Sequence, residues 1–231
     1  MRKLLLCVLL LLCLPALAQD ARYTVVTIDT ARYDLQLFLN DDAGQPLHGF
    51  ARLASWLQGR HQRLGFAVNA GMYHADYTPV GLLVQDGRQV TPLNLADGAG
   101  NFFLKPNGVF LVSPSGPKVL ASSEYPALGK GARLATQSGP LLLHDGVIHP
   151  AFNPASTSRH VRNGVGVVGS KAIFVISNEP VTFHEFAVFF RDELHCKDAL
   201  YLDGSVSSLY SRELGRNDAG ARLGPMLGLV D

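Results

Sequence analysis

Ala199-Leu200-Tyr201-Leu202-Asp203-Gly204-Ser205-Val206-Ser207-Ser208-Leu209-Tyr210 drives an apolar run straight into an acid, then a glycine, a group of hydroxyls and a second apolar run. Apolar residues on both sides predict two buried strands with Asp203 between them. A carboxylate at the end of a buried strand is costly unless its charge is hydrogen-bonded, paired or used, and strand ends are common seats for catalytic groups. The competing reading is a plain hairpin turn at Asp203-Gly204. Asp86-Gly87, Asn107-Gly108 and Asp145-Gly146 are turn signals of the same kind elsewhere in the chain.

Working outward, Gly164 to Val168 and Ala172 to Ile176 read as a hairpin, and Thr182 with Glu185 has the spacing of a capping box. Phe183, Phe186, Ala187, Phe190 and Leu194 then make the apolar stripe of a helix. Upstream, Tyr23 to Ile28, Leu35 to Leu39, Leu64 to Val68 and Val80 to Val84 are strand-like. Asn101 to Leu104 and Val109 to Val112 read as strands joined through Pro106-Asn107-Gly108, with turn-rich sequence from 113 to 130. Arg133 to Gln137 is a short strand, and Leu141 to Leu143 pairs with Val147-Ile148 across Asp145-Gly146. Phe50, Leu53, Ala54 and Leu57 recur at helical spacing and predict a helix near 49–60, with Trp56 in the core. No repeat or long linker divides residues 20–231. They read as one α+β domain with a mixed, largely antiparallel sheet and helices packed against it.

The chain has 231 residues, 47% of them hydrophobic and 17% charged, which marks a globular protein with a sizeable core. Arg2 and Lys3, a leucine-rich run from Leu4 to Leu14 and the small-x-small Ala16-Leu17-Ala18 predict a signal peptide over 1–18, cut after Ala18. That run is short for a membrane span of about 20 residues, and no later segment is long enough. Removal takes Arg2 and Lys3 from the 20 basic residues and leaves one more acid than base, which argues against a nucleic-acid partner. It also removes Cys7 and Cys13, so Cys196 has no intrachain partner. The expected location is the periplasm. The histidines are scattered, with His74-Ala75-Asp76 the one close His/Asp pair, so no metal site and no cofactor are expected. Cys196 at the end of an apolar helix face reads as a buried, inert thiol.

Four segments in order resemble the motifs of the phosphodiester glycosidase family, which includes the catalytic domain of the lysosomal uncovering enzyme, N-acetylglucosamine-1-phosphodiester α-N-acetylglucosaminidase. They are Asn69-Ala70-Gly71-Met72-Tyr73 with Pro79-Val80-Gly81-Leu82; Gln137-Ser138-Gly139-Pro140-Leu141 with Asp145-Gly146; Arg162-Asn163-Gly164-Val165-Gly166; and Leu202-Asp203-Gly204 with Ser207-Ser208. The match covers about 69–208. Two positions depart from it: Ser205 stands where the family has a second glycine, and Asn163-Gly164 where it has Thr-Ala. The resemblance implies a hydrolase acting on a sugar-1-phosphodiester, here of an envelope or extracellular glycan.

Such a reaction expels a phosphomonoester, whose second pKa near 6 leaves little need for a general acid. An arginine suits the charge on the leaving group. Arg162, on the matching motif, is the first candidate and Arg159 the second, against a plain solvated loop charge. The anomeric carbon becomes cationic, and Asp203 is the carboxylate to meet it. Asp76 and Glu185 are candidates for a second acid, although Asp76 also reads as a turn residue and Glu185 as a cap. Asn69, Gln137 and Ser138 are neutral donors suited to sugar hydroxyls or phosphate oxygens, and Gly71 and Gly139 would let backbone approach a ligand. Gly204 and Ser207 complete the substrate-binding candidates, although Ser207 with Ser208 also reads as bonding Asp203 or satisfying a turn. The reading from another class is a non-catalytic envelope glycan-binding or assembly protein.

Overall fold

A computed structural model describes residues 20–231; the predicted signal peptide lies outside the described residues. Instead of one sheet there are three, and every strand pair within them is antiparallel. The first sheet has 6 strands in the order Tyr23–Asp29, Lys171–Ser177, Asn163–Val168, Asp198–Tyr201, Leu141–His144 and Val147–Ile148. The second has 5, in the order Arg216–Asn217, Leu209–Ser211, Leu64–Asn69, Met226–Val230 and Gln36–Phe38. The third also has 5, in the order Arg88–Thr91, Leu83–Gln85, Leu134–Ser138, Gly108–Ser113 and Gly116–Ala121.

The two apolar runs around Asp203 do not pair with each other. Asp198–Tyr201 belongs to the first sheet, and Leu209–Ser211 to the second, beside Leu64–Asn69. Residues 202–208 are therefore a crossing between sheets and not a hairpin turn. The local hairpins at Asp145-Gly146 and between Val168 and Lys171 form as expected. The one across Pro106-Asn107-Gly108 does not: Asn101–Phe103 is a short 3-10 turn. Asn107 is buried and its amide donates to the Phe102 carbonyl at 2.7 Å, closing residues 102–107 into a compact loop. Gly108–Ser113 then pairs forward with Gly116–Ala121, inside the stretch expected to be turns.

The sheets share a core in which Phe66, Phe110, Phe174, Leu200 and Leu227 meet from all three. Helices are few. The helix Phe50–Gln58 buries Phe50, Leu53 and Leu57 over the second sheet against Leu64, Ala67 and Met226, each side chain contributing about 1.5–3 kcal/mol. Trp56 lies at its rim, not in the core: Arg60 sits 4.3 Å over the ring and the indole donates to Asp42. The helix Phe183–Val188, continued by a π-turn over Phe189–Glu193, covers the outer face of the first sheet with Phe186 and Phe190. Among the described residues no helix is long and apolar enough to cross a membrane.

Candidate active site

Strand register brings the motifs together. Gly164 pairs with Tyr201, so the start of one strand and the end of its neighbour lie at the same rim of the first sheet. Leu209 pairs with Val68, which puts Asn69 at the matching rim of the second. Asn69 joins the rims. It is 1% exposed; its amide donates to the Asp203 carbonyl at 2.7 Å, and its side-chain oxygen accepts from Ser208 N at 2.9 Å and from the Asn163 amide at 2.9 Å. Ser207 completes the joint by donating to Asn163 Oδ1 at 3.1 Å.

Asp203 itself is half-buried, and its Oδ1 accepts the Ser205 N–H at 3.1 Å. Burial raises its pKa above the ordinary 3.8, opposed by the Ser205 hydrogen bonds. The larger part of that opposition comes from the Ser205 backbone N–H, which a glycine would also supply, and the Ser205 hydroxyl adds to it. Gly204 is required by geometry: a side chain there would collide with the Tyr201 hydroxyl.

Arg162 is 2% exposed, so it is not a surface ligand for phosphate. Nε donates to the Val181 carbonyl at 2.9 Å and Nη2 to the Ser158 carbonyl at 3.3 Å. Its guanidinium lies 3.7 Å over the Phe183 ring and 5.6 Å from that of Tyr201. Phe152 stacks on the other side of Phe183 at 4.9 Å, and His149 on Phe152 at 4.8 Å, so the cation caps a row of rings. No carboxylate pairs with it among the described residues. Burial lowers its pKa, and Tyr201 pulls it back up. Tyr201 in turn is raised by burial, lowered by Arg162 and raised by Asp203, so one phenol senses both the cation and the acid.

Several expected ligand contacts become braces. Gln137 is 1% exposed, and its amide is fully used: Oε1 accepts from Leu82 N at 3.0 Å and Asn94 N at 2.9 Å, and Nε2 donates to the Asn94 carbonyl and Ser122 Oγ. Asn69 and Ser207 are likewise committed to the joint. Gly71 N donates to Thr136 Oγ1 at 3.1 Å, and a side chain at Gly71 would strike the Gln137 backbone, so this glycine serves the approach of second and third sheets. Gly139 packs in the same way on Asn107 and the Phe102 carbonyl. Ser138 is wholly buried, with an Oγ that has no hydrogen-bond partner.

Neither second-acid candidate is free. Glu185 is the cap of its helix: Oε2 accepts from Thr182 N at 2.8 Å, and Oε1 takes the Arg159 guanidinium at 2.7 Å. The Thr182 N–H bond, helped by Arg159, holds its pKa low. Asp76 is exposed at a hairpin tip, where it accepts from Thr78 Oγ1 at 2.6 Å, and that bond holds it low as well. Arg159 is thus a paired loop cation. Cys196 is 2% exposed, and burial pushes its thiol up to about 12. Among the described residues no three His, Cys, Asp or Glu side chains gather as metal ligands.

The residues missed from sequence are Asn163, Tyr201, Phe152 and Phe183. Tyr201 carried a signal, since residues two apart on a strand share a face and Asp203 follows it by two. Asn163 carried one too, as a polar residue opening an apolar strand. Nothing local marks Phe152 and Phe183, which meet only in the fold.

Comparisons with known proteins fit this geometry. The chain is 38% identical over 147 residues to an uncharacterized protein of Escherichia coli (strain K12), YigE, across 63% of this chain and 58% of that protein's length. Its fold matches the zebrafish N-acetylglucosamine-1-phosphodiester α-N-acetylglucosaminidase catalytic domain, auto-inhibited by its pro-peptide, with a TM-score of 0.54 and 14% identity over 94% of this chain and 91% of that one. The phosphodiester glycosidase family model matches residues 62–228, the span that holds every motif described above, and the chain belongs to that family.

Proposed function

We propose that this protein is a hydrolase of sugar-1-phosphodiesters, acting in the periplasm on an envelope or extracellular glycan after loss of its signal peptide. The carrying observation is Arg162, a buried cation with no carboxylate partner among the described residues, which acts on the same Tyr201 phenol as Asp203. An unpaired buried charge is expensive to keep. Its natural complement is an anion that arrives with the substrate.

In the reaction the C1–O bond breaks and its electron pair stays on the phosphate oxygen. A water oxygen takes the place at C1 and passes its proton to bulk solvent. Arg162, fixed in a low-dielectric setting, stabilises the charge that gathers on the departing phosphate without reorganising. Asp203, ionised, faces the developing positive charge at C1. The phosphomonoester leaves without needing a proton.

The test is release of free sugar from UDP-N-acetylglucosamine and from a p-nitrophenyl sugar phosphodiester, with and without chelator. Release should resist chelator and fall by about 10³-fold or more in Asp203→Asn. An Asp203→Asn variant as active as the parent would remove Asp203 from the site. A saccharide bound but never cleaved would favour the glycan-binding reading.

A further inference from the structure

Beside Asp203 three rings form a shelf that the reaction above does not use. Asp203 N donates to the Ala70 carbonyl at 3.2 Å, and Ala70 N to the Pro225 carbonyl at 2.8 Å, which pins the start of the 70–80 hairpin between the acid and the 222–225 segment. Tyr73 follows at once. Its ring packs on the Gly224 backbone, where no side chain would fit, and its hydroxyl donates to the Arg222 carbonyl at 2.5 Å. Tyr77 folds back over Tyr73 in a stack of 5.6 Å and 15°. His48 then meets Tyr77 edge-on at 4.2 Å. All three are half-buried, so part of each side chain stays in contact with solvent.

The backbone does unusual work to build this. Tyr77 has φ 68 and His48 φ 58, the left-handed region that bulky residues avoid. Such strain persists where the surroundings hold it, and it gathers at functional sites. Asp203 also acts on the Tyr73 hydroxyl, which burial and that charge push up to about 12, so the shelf begins within electrostatic reach of the acid.

The charge at the far end is separate from the aromatic geometry. A cavity of about 350 Å³ lies between residues 47–52 and 217–222, at the small end of ligand sites. Three arginines stand at or near it. Arg52 is paired with Asp41 at 3.0 Å and Arg216 with Asp218 at 2.9 Å. Arg222 is exposed and has no acidic partner among the described residues. It lies close enough to His48 to disfavour the imidazolium, after burial, the larger cause.

We infer that Tyr73, Tyr77 and His48, with Arg222 at their edge, form a binding site for a sugar ring that carries a carboxylate, so that the protein takes an acidic glycan. The faces of pyranose rings present C–H groups of partial positive charge, which match the negative face of an aromatic ring. Arg222 supplies the fork for the carboxylate. Within the proposed hydrolase this is the site for the part of the substrate beyond the phosphate; that placement rests on the reading above, but binding does not.

The experiment is calorimetric titration of the purified protein with a tetrasaccharide of galacturonic acid and with its fully methyl-esterified form, which keeps the rings and removes the charge. The acid form should bind about tenfold more tightly than the ester. Arg222→Gln should abolish that preference. Tyr77→Asn, which removes the ring but tolerates the backbone angle, should weaken both forms by a similar factor. His48→Asn gives a second check by the same route, and thermal melts confirm that the variants fold. No binding at millimolar concentration, or equal binding by parent and variants, would overturn the inference. Turnover of the p-nitrophenyl phosphodiester, measured on the same proteins, reports on the hydrolase reading independently, because that substrate has no second sugar for the shelf.

Discussion

Asp203 is kept where its charge is disfavoured, and this has a thermodynamic signature. Burial raises its pKa in the folded chain above the ordinary 3.8. The folded state then holds the proton more tightly than the unfolded state. The resulting stability is full below the unfolded value and is lost as pH rises through the raised folded value. Asparagine does not titrate and can still accept the Ser205 N–H. Asp203→Asn should therefore melt higher than the parent at pH 7, by a margin that shrinks towards pH 3, while turnover is lost. A margin that is constant with pH would mean that the acid is not strained. In the proposed reaction the ionised form is the working one, so the same shift should raise the acid limb of the activity profile above where an ordinary carboxylate would put it. Arg162 has a different vulnerability. Lysine keeps the charge but loses the plane on Phe183 and the two-carbonyl clasp at Val181 and Ser158. Arg162→Lys should lower kcat/KM by about 10–100-fold and stability by about 2 kcal/mol; unchanged kinetics would place the residue in packing alone.

Among the elements, the joint between sheets is the part that positions the site. Asn69 is its centre, bonded through its side chain to Asp203, Ser208 and Asn163. Asn69→Ala would strand the buried Ser208 N–H and leave the Asn163 amide only the backbone carbonyl of residue 69, at about 1–3 kcal/mol in urea unfolding. It would also release the Asp203 backbone, so activity should fall more than the lost stability explains. An Asn69→Ala variant of parental stability and rate would show that the joint is not what holds Asp203. Much of this scale was legible beforehand. Periodicity and turn signals placed the Phe50–Gln58 helix, the Thr182–Glu185 cap and the Asp145-Gly146 hairpin, because each depends on neighbours a few residues apart. The failures share a cause. Asn107 could be read as a turn residue, but its side chain closes a loop on Phe102. Asn69 and Gln137 looked like free donors at strand ends, and their partners come from segments 15 to 139 residues away.

Across the whole molecule, the partition into three sheets was the least legible feature. Strand propensity says that a segment is extended, not which partner it takes, and the stretch around Asp203 reads equally well as a hairpin or as a crossing. The crossing matters, because it delivers one acid to the rim where two sheets meet and a third approaches through Gly71 and Thr136. In the proposed reaction the bond broken there joins carbon to oxygen, not phosphorus to oxygen. Hydrolysis of a sugar-1-phosphodiester in ¹⁸O-labelled water, with the phosphomonoester product read by mass spectrometry, tests it directly. Attack at C1 leaves the original bridging oxygen on phosphorus, so the phosphomonoester should be unlabelled. One ¹⁸O in that product would place the attack at phosphorus and contradict it.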